Sequence, residues 1–237
     1  MRWILFFIKK PEEFVRKLNS KSAIILFISA MIVKIAYNII SDHSFPAEMN
    51  FEFAGISNPK LYEFILSYLI SEFLFLGIFL SAFLINIRKK AIISLTIDIL
   101  LVSILSFTLL SHSKIYIPLS LLVTITALTF FISNMIKEYI ISVKIMISLQ
   151  IFNIISTILL YISEIISSNT LAITVLFVYS IISFAYFIKI FRAFYDISVK
   201  RLIISSIPPI IISVLCGFVI YKANIFSPNT VKLILYN

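Results

Sequence analysis

The sequence predicts an all-α protein, a polytopic transmembrane helix bundle of about seven spans preceded by a short N-terminal interfacial helix. Three observations carry that prediction. Seven apolar stretches, each long enough for a bilayer core that takes about 20 helical residues to cross, fill most of the 237 residues. The chain is 61% hydrophobic and 13% charged, with a mean hydropathy of +1.09, where an ordinary soluble domain carries about 25% charged residues. A folded protein in water could not hide that much apolar surface, whereas lipid solvates it. Finally, the basic residues alternate between successive connections, as the positive-inside rule requires.

From the N-terminus, residues 1–21 form a segment with a marked helix in 10–20. Pro11 suits a first helical position, where its missing N–H is no loss. Glu12 and Glu13 complement the positive end of the helix dipole, and Arg16 and Lys17 the negative end. Phe14 and Leu18, four residues apart, share a face. With Trp3, Phe6 and Phe7 ahead of it, this reads as a helix lying in the cytoplasmic interface. It either anchors the first span or docks a partner, and in the second case replacing Phe14 and Leu18 by Ser should leave the bundle folded. Trp3 to Ile8 is too short for a signal-peptide core and runs into Lys9-Lys10-Pro11.

The spans follow near 22–41, 61–87, 91–111, 115–136, 144–166, 171–193 and 202–221, so that 22–221 is the membrane domain and 222–237 a short extracytoplasmic tail. The fifth contains Gln150, Asn153 and Glu164. If it and a neighbour form a re-entrant or interfacial pair, five to six spans remain, and with five the orientation of both ends survives. One set of ends and loops holds fifteen Lys and Arg residues and the other set four, with Lys34 inside the first span. That imbalance puts the N-terminus in the cytoplasm and the C-terminus outside. The abundance of Ile, Lys and Asn beside little Gly suggests AT-rich coding and hence a bacterial inner or cell membrane. The loop 42–60 reads as external, with Phe45, Phe51 and Phe53 dipping into the interface.

Charged side chains at membrane depth cost about 2.5–3.5 kcal/mol each on insertion scales and usually face the bundle interior. Lys34, Glu72 and Asp98 qualify. Lys34 and Glu72 fall at similar depths on antiparallel neighbours, so a buried pair is expected, either as a register-fixing contact or as part of an ion relay. Asp98 has no evident partner beyond Lys89 or Lys90 reaching toward it. Pro208-Pro209 in the last span should kink it, with Ser205, Ser206 and Ser213 near enough to re-pair the freed carbonyls. Glu63, Lys144 and Glu164, near span ends, are expected to be reached by water.

Nothing in the sequence marks a catalytic site, a cofactor or a metal centre. His43 and His112 are the only histidines, the single Cys216 sits in the last span, and no HExxH, P-loop, GxGxxG or nucleophile elbow occurs. The net charge of +9 lies in short loops between apolar runs, which suits anionic headgroups and not nucleic acid. Expected partners are the lipid bilayer and a membrane protein or a second copy of the chain.

Two stretches resemble the Yip1 family of small multispan membrane proteins. Phe7-Ile8-Lys9-Lys10-Pro11-Glu12-Glu13-Phe14, followed by Lys17-Leu18, is similar to the family's Pro-x-x-Phe helix before the first span. Phe191-Arg192-Ala193-Phe194-Tyr195-Asp196-Ile197-Ser198-Val199-Lys200-Arg201 is similar to the turn before its last span. The resemblance covers the two ends of the chain, and the usual five spans and Gly-rich turn after span two are not matched. It implies a non-enzymatic adaptor or organiser of membrane partners, with Pro11, Phe14, Leu18, Arg192, Tyr195, Lys200 and Arg201 at the partner or membrane interface. The alternative is a transporter or channel subunit with a polar path near Lys34, Glu72 and Asp98. Asp98→Asn should abolish transport and barely disturb an adaptor.

Overall fold

A computed structural model describes residues 2–41, 60–111, 113–166, 168–223, 226–227, 229–230 and 233. Within them the protein is an all-α polytopic bundle with no β-strand. The elements are α1 (Arg2–Lys9), α2 (Pro11–Lys17), α3 (Ser20–Ser41), α4 (Leu61–Glu72), a π-helical segment (Phe73–Phe79), α5 (Leu80–Arg88) and α6 (Ala91–Leu110). They continue with α7 (Tyr116–Ser133), α8 (Ile136–Ile165), α9 (Asn169–Tyr195) and α10 (Val199–Ala223). Residues 42–59 of the loop expected to be external, with its three phenylalanines, and both histidines lie outside the described residues.

Seven helices among the described residues are long and apolar enough to cross a membrane, counting α4, the π-helical segment and α5 as one span of 28 residues. Their outward faces are apolar: Ile92 is 82% exposed, Leu110 81% and Phe177 68%. Such surface is stable against lipid and costly in water. At 144–166, where a re-entrant or interfacial alternative stood open, α8 is one continuous helix of 30 residues without the break that a re-entrant hairpin needs. At 1.5 Å per residue it is about 45 Å long, against a hydrocarbon core of about 30 Å. It also starts earlier than expected. Lys137 and Lys144 sit on its first turns and not in a loop, and the link to α7 is only Asn134 and Met135.

Small hydroxyl residues do much of the close packing. Ser67, Thr124 and Ser148 are fully buried. Their hydroxyls donate to carbonyls three or four residues earlier, as in Ser67 to Phe64, Thr124 to Ser120 and Ser148 to Lys144. Each polar group is thus satisfied inside its own helix, where lipid offers no partner.

The chain divides into two compact units. The first holds α1, α2, α3, α8 from Lys144 onward, and α9. Here the interfacial element predicted over 10–20 is α2, with Pro11 in its first turn, Glu12 and Glu13 beside it, and Arg16 and Lys17 in its last turn. A second short helix, α1, precedes it. Lys10 donates to Glu13 at 2.8 Å and holds that carboxyl below its ordinary range. Asn19 caps α3 by accepting from the Ser22 amide at 2.8 Å. An aromatic cluster organises this unit. The fully buried Phe7 meets Phe14 edge-on at 5.2 Å, Phe152 of α8 at 5.4 Å and Tyr186 of α9 at 5.7 Å. The Tyr186 hydroxyl donates to the Ile8 carbonyl at 2.9 Å, fastening α1 to α9.

The second unit holds α4 through α7, the first turns of α8, and α10 with the residues after it. The last span, α10, is its hub and packs on α5, α6, α7 and the π-helical segment. The π-helical segment leaves carbonyls off the α-helical ladder, and two are reached by side chains. Tyr139 donates to Leu76 at 3.0 Å and Ser213 to Leu74 at 3.4 Å. Lys222 of α10 caps the C-terminal end of α6, donating to Thr108 at 2.9 Å, Leu109 at 2.7 Å and Ser111. α10 runs to Ala223, one residue into the expected extracytoplasmic tail, and described residues beyond it reach the start of α4. Ser227 and Asn229 donate to the Glu63 carboxylate, which also accepts from the Lys60 amide at 2.8 Å. Glu63 is accordingly only 3% exposed, which corrects its placement in water.

Candidate functional site

The polar chemistry of the second unit gathers where α5 ends and α6 and α10 begin. Local sequence explains the convergence. Lys89 and Lys90 are extended and break the helix between α5 and α6, and Val199 starts α10 three residues after the helix-ending Asp196. A cleft of about 390 Å³ opens there, lined by Asn86, Ser94, Asp98, Lys200, Arg201 and Ser205 with apolar neighbours.

Asp98 is 7% exposed, and its Oδ2 accepts a 3.0 Å hydrogen bond from Nδ2 of Asn86. The sequence left Asp98 without a partner, and the partner proves to be Asn86, near the C-terminal end of α5. The same Nδ2 donates to the Ser205 carbonyl at 3.3 Å. Ser205 lies four residues before Pro209, whose missing N–H strips that carbonyl of its helical donor. Asn86 therefore repairs α10 and orients Asp98 with one amide group. The expected serines do otherwise: Ser206 donates to Ile203 at 2.7 Å in its own turn, and Ser213 serves Leu74 across to the π-helical segment.

Lys200 and Arg201 are exposed at this cleft. Arg201 spends one donor on the Ile87 carbonyl at 3.0 Å, near the C-terminal end of α5, where a cation complements the helix dipole. The guanidinium carries five N–H donors in all.

The remaining predicted interface residues belong to the first unit. Pro11 is buried, and Phe14 and Leu18 are each 2% exposed, so these side chains hold the unit together. Burial of Phe14 and Leu18 makes lost packing within the unit the expected result of Ser at these positions. Tyr195 is also buried, stacked on Phe191 at 5.6 Å. Arg192 is exposed. Arg16 lies 5.5 Å from the Phe194 ring centre, so α2 touches the end of α9 by a cation–π contact. Those two residues come from or beside the two stretches on which the family resemblance rests.

Lys34 is half-buried in the first unit and Glu72 half-buried in the second, directly before the π-helical segment. Their pairing stays an expectation of the sequence. Among the described residues, no group of three or more His, Cys, Asp or Glu side chains could hold a metal ion. A second cavity of about 400 Å³, in the first unit, is lined by Phe14, Leu18, Ile25, Leu26, Ile151 and other mainly apolar groups and offers volume without chemistry. No protein-family model matches the chain, and neither does any curated protein or solved structure.

Proposed function

We propose that this integral membrane protein is a non-enzymatic adaptor or organiser of Yip1 type, with its N-terminus in the cytoplasm and its C-terminus outside. The observation that carries the reading is the division of labour among the interface residues: Arg192, Lys200 and Arg201 are exposed, while Phe14, Leu18 and Tyr195 are buried. Exposed cations beside apolar spans suit anionic headgroups and acidic partner segments. The partner-binding role accordingly falls to the basic residues, while Phe14, Leu18 and Tyr195 pack the first unit.

A native-membrane pull-down in a lipid-preserving detergent, followed by mass spectrometry, tests this. A stoichiometric protein partner is expected, and it should be lost on Arg192→Gln with Lys200→Gln while the fold is kept. Recovery of the protein alone from wild-type membranes would sink the adaptor reading.

A second reading, a transporter or channel subunit, is favoured by one observation: the buried Asp98 lines an open cleft at membrane depth. Asp98→Asn separates the two, because it should abolish solute or ion flux in proteoliposomes and leave partner recovery unchanged.

A further inference from the structure

We infer that the cleft between α5, α6 and α10 binds a zwitterion that carries a primary ammonium and an anionic group, the chemistry of a phosphoethanolamine head. The inference needs the membrane setting but not the adaptor reading, since headgroup selectivity and partner recovery are separate readouts.

The buried wall of the cleft is acidic. Asp98 is a buried carboxylate, and Asn86 beside it is 8% exposed. Because Nδ2 of Asn86 donates to both Asp98 and Ser205, its amide orientation follows from the network, and Oδ1 is the atom left over. That Oδ1 is buried and has no hydrogen-bond partner. It lies beneath the surface, out of a ligand's reach, so the acceptor that the cleft offers is the Asp98 carboxylate, and the group that best satisfies it is a charged N–H donor.

The other wall is cationic. Lys200 and Arg201 line the same cleft, yet among the described residues neither forms an ion pair with Asp98. Had they served only to neutralise Asp98, direct bridges would be the expected arrangement. Instead Arg201 is held by the Ile87 carbonyl. The cleft also borders the first turns of α6 and α10, whose positive dipole ends favour an anion. Opposite charges facing one space without touching are bridged by a molecule that carries both signs.

Size and lining agree. About 390 Å³ exceeds the share of a few waters and lies at the lower end of small-molecule sites. Ala91, Leu95, Ile204 and Pro208 give the cleft an apolar side that would accept a glycerol backbone or carbon linker.

The test uses the full chain in detergent, titrated with dioleoyl phosphatidylethanolamine, its N-trimethylated counterpart phosphatidylcholine, and phosphatidylglycerol, with retention read by native mass spectrometry. Free phosphoethanolamine and phosphocholine form a parallel arm. Primary-ammonium ligands should bind at least tenfold tighter than trimethylated ones, because methylation removes every N–H donor. Asp98→Asn should cut that preference at least fivefold, and Lys200→Gln with Arg201→Gln should weaken the ethanolamine and glycerol lipids alike. Retention confined to the lipid identifies a bilayer headgroup as the source, whereas competition by free phosphoethanolamine identifies a soluble zwitterion. Equal retention of the methylated and unmethylated forms, no retention of either, or a preference that survives Asp98→Asn overturns the site. Should Asp98→Asn fail to fold, the methylation comparison on the wild-type chain decides alone.

Discussion

Asn86 donates from its side-chain amide to the Ser205 carbonyl at 3.3 Å, the acceptor that Pro209 deprives of its helical N–H. In lipid that carbonyl has no water to turn to, so a side chain on a neighbouring helix completes the ladder. A proline that would weaken an isolated helix thereby becomes a fixed contact between α5 and α10.

This contact predicts a coupling between Asn86 and Pro209. Asn86→Ala should destabilise the protein by about 1–3 kcal/mol, because the Ser205 and Asp98 acceptors both lose a donor. In a Pro209→Ala background the restored amide N–H can serve Ser205, and the cost of Asn86→Ala should fall by about 0.5–1.5 kcal/mol. A double-mutant cycle on thermal unfolding in detergent measures this, and additive costs would show that Asn86 does not repair the helix.

Phe14 is the ring on which the N-terminal helices close. It is buried, edge-on to Phe7, and Phe6 lies at 6.1 Å. Truncating a buried ring typically costs about 3–5 kcal/mol, so Phe14→Ala should lower the melting temperature and expose α1 and α2 to limited proteolysis. An unchanged melting curve with partner recovery lost would return Phe14 to a docking role.

Lys222 serves three carbonyls at the end of α6. Removing its charge with Lys222→Met should cost about 1–2 kcal/mol, from lost hydrogen bonds and a lost cation at the helix C-terminus. Hydrogen exchange should rise in the last turn of α6 and not at its start. Faster exchange spread evenly along α6 would point to general destabilisation.

Asp196 ends α9 in the left-handed region, with φ of 50° and ψ of 51°, and its amide donates to the Arg192 carbonyl at 2.9 Å. Glycine adopts that backbone without steric cost, so Asp196→Gly should stabilise by up to about 1 kcal/mol. A β-branched residue there should do the reverse, and Asp196→Val is expected to cost about 1–2 kcal/mol. Equal unfolding midpoints for the two variants would mean that the turn relaxes out of this conformation.

Much of the architecture was legible because apolar length and helix signals are local. The helix predicted over 10–20 starts at Pro11, where a missing N–H is no loss, and the predicted spans correspond to the seven apolar helices. The start of α8 was missed because Lys137, Glu138 and Lys144 look like a loop by charge, although a helix longer than the hydrocarbon core can carry charges on its first turns. Asp98 could be singled out from its depth in an apolar run. Asn86 could not, since its twelve-residue separation from Asp98 has no helical periodicity and its separation from Ser205 is 119 residues.

Hydropathy and charge, read along one dimension, determined that this protein is helical, polytopic and built for lipid, because each property depends only on neighbours in the chain. Which carbonyl Asn86 rescues, that Glu63 is closed over by Ser227, and that Asp98 and Arg201 line one cleft were decided by tertiary structure alone. Those relationships arise when α10 packs against α5 and α6, a meeting of segments more than a hundred residues apart, driven by packing and by the need to satisfy every polar group away from water.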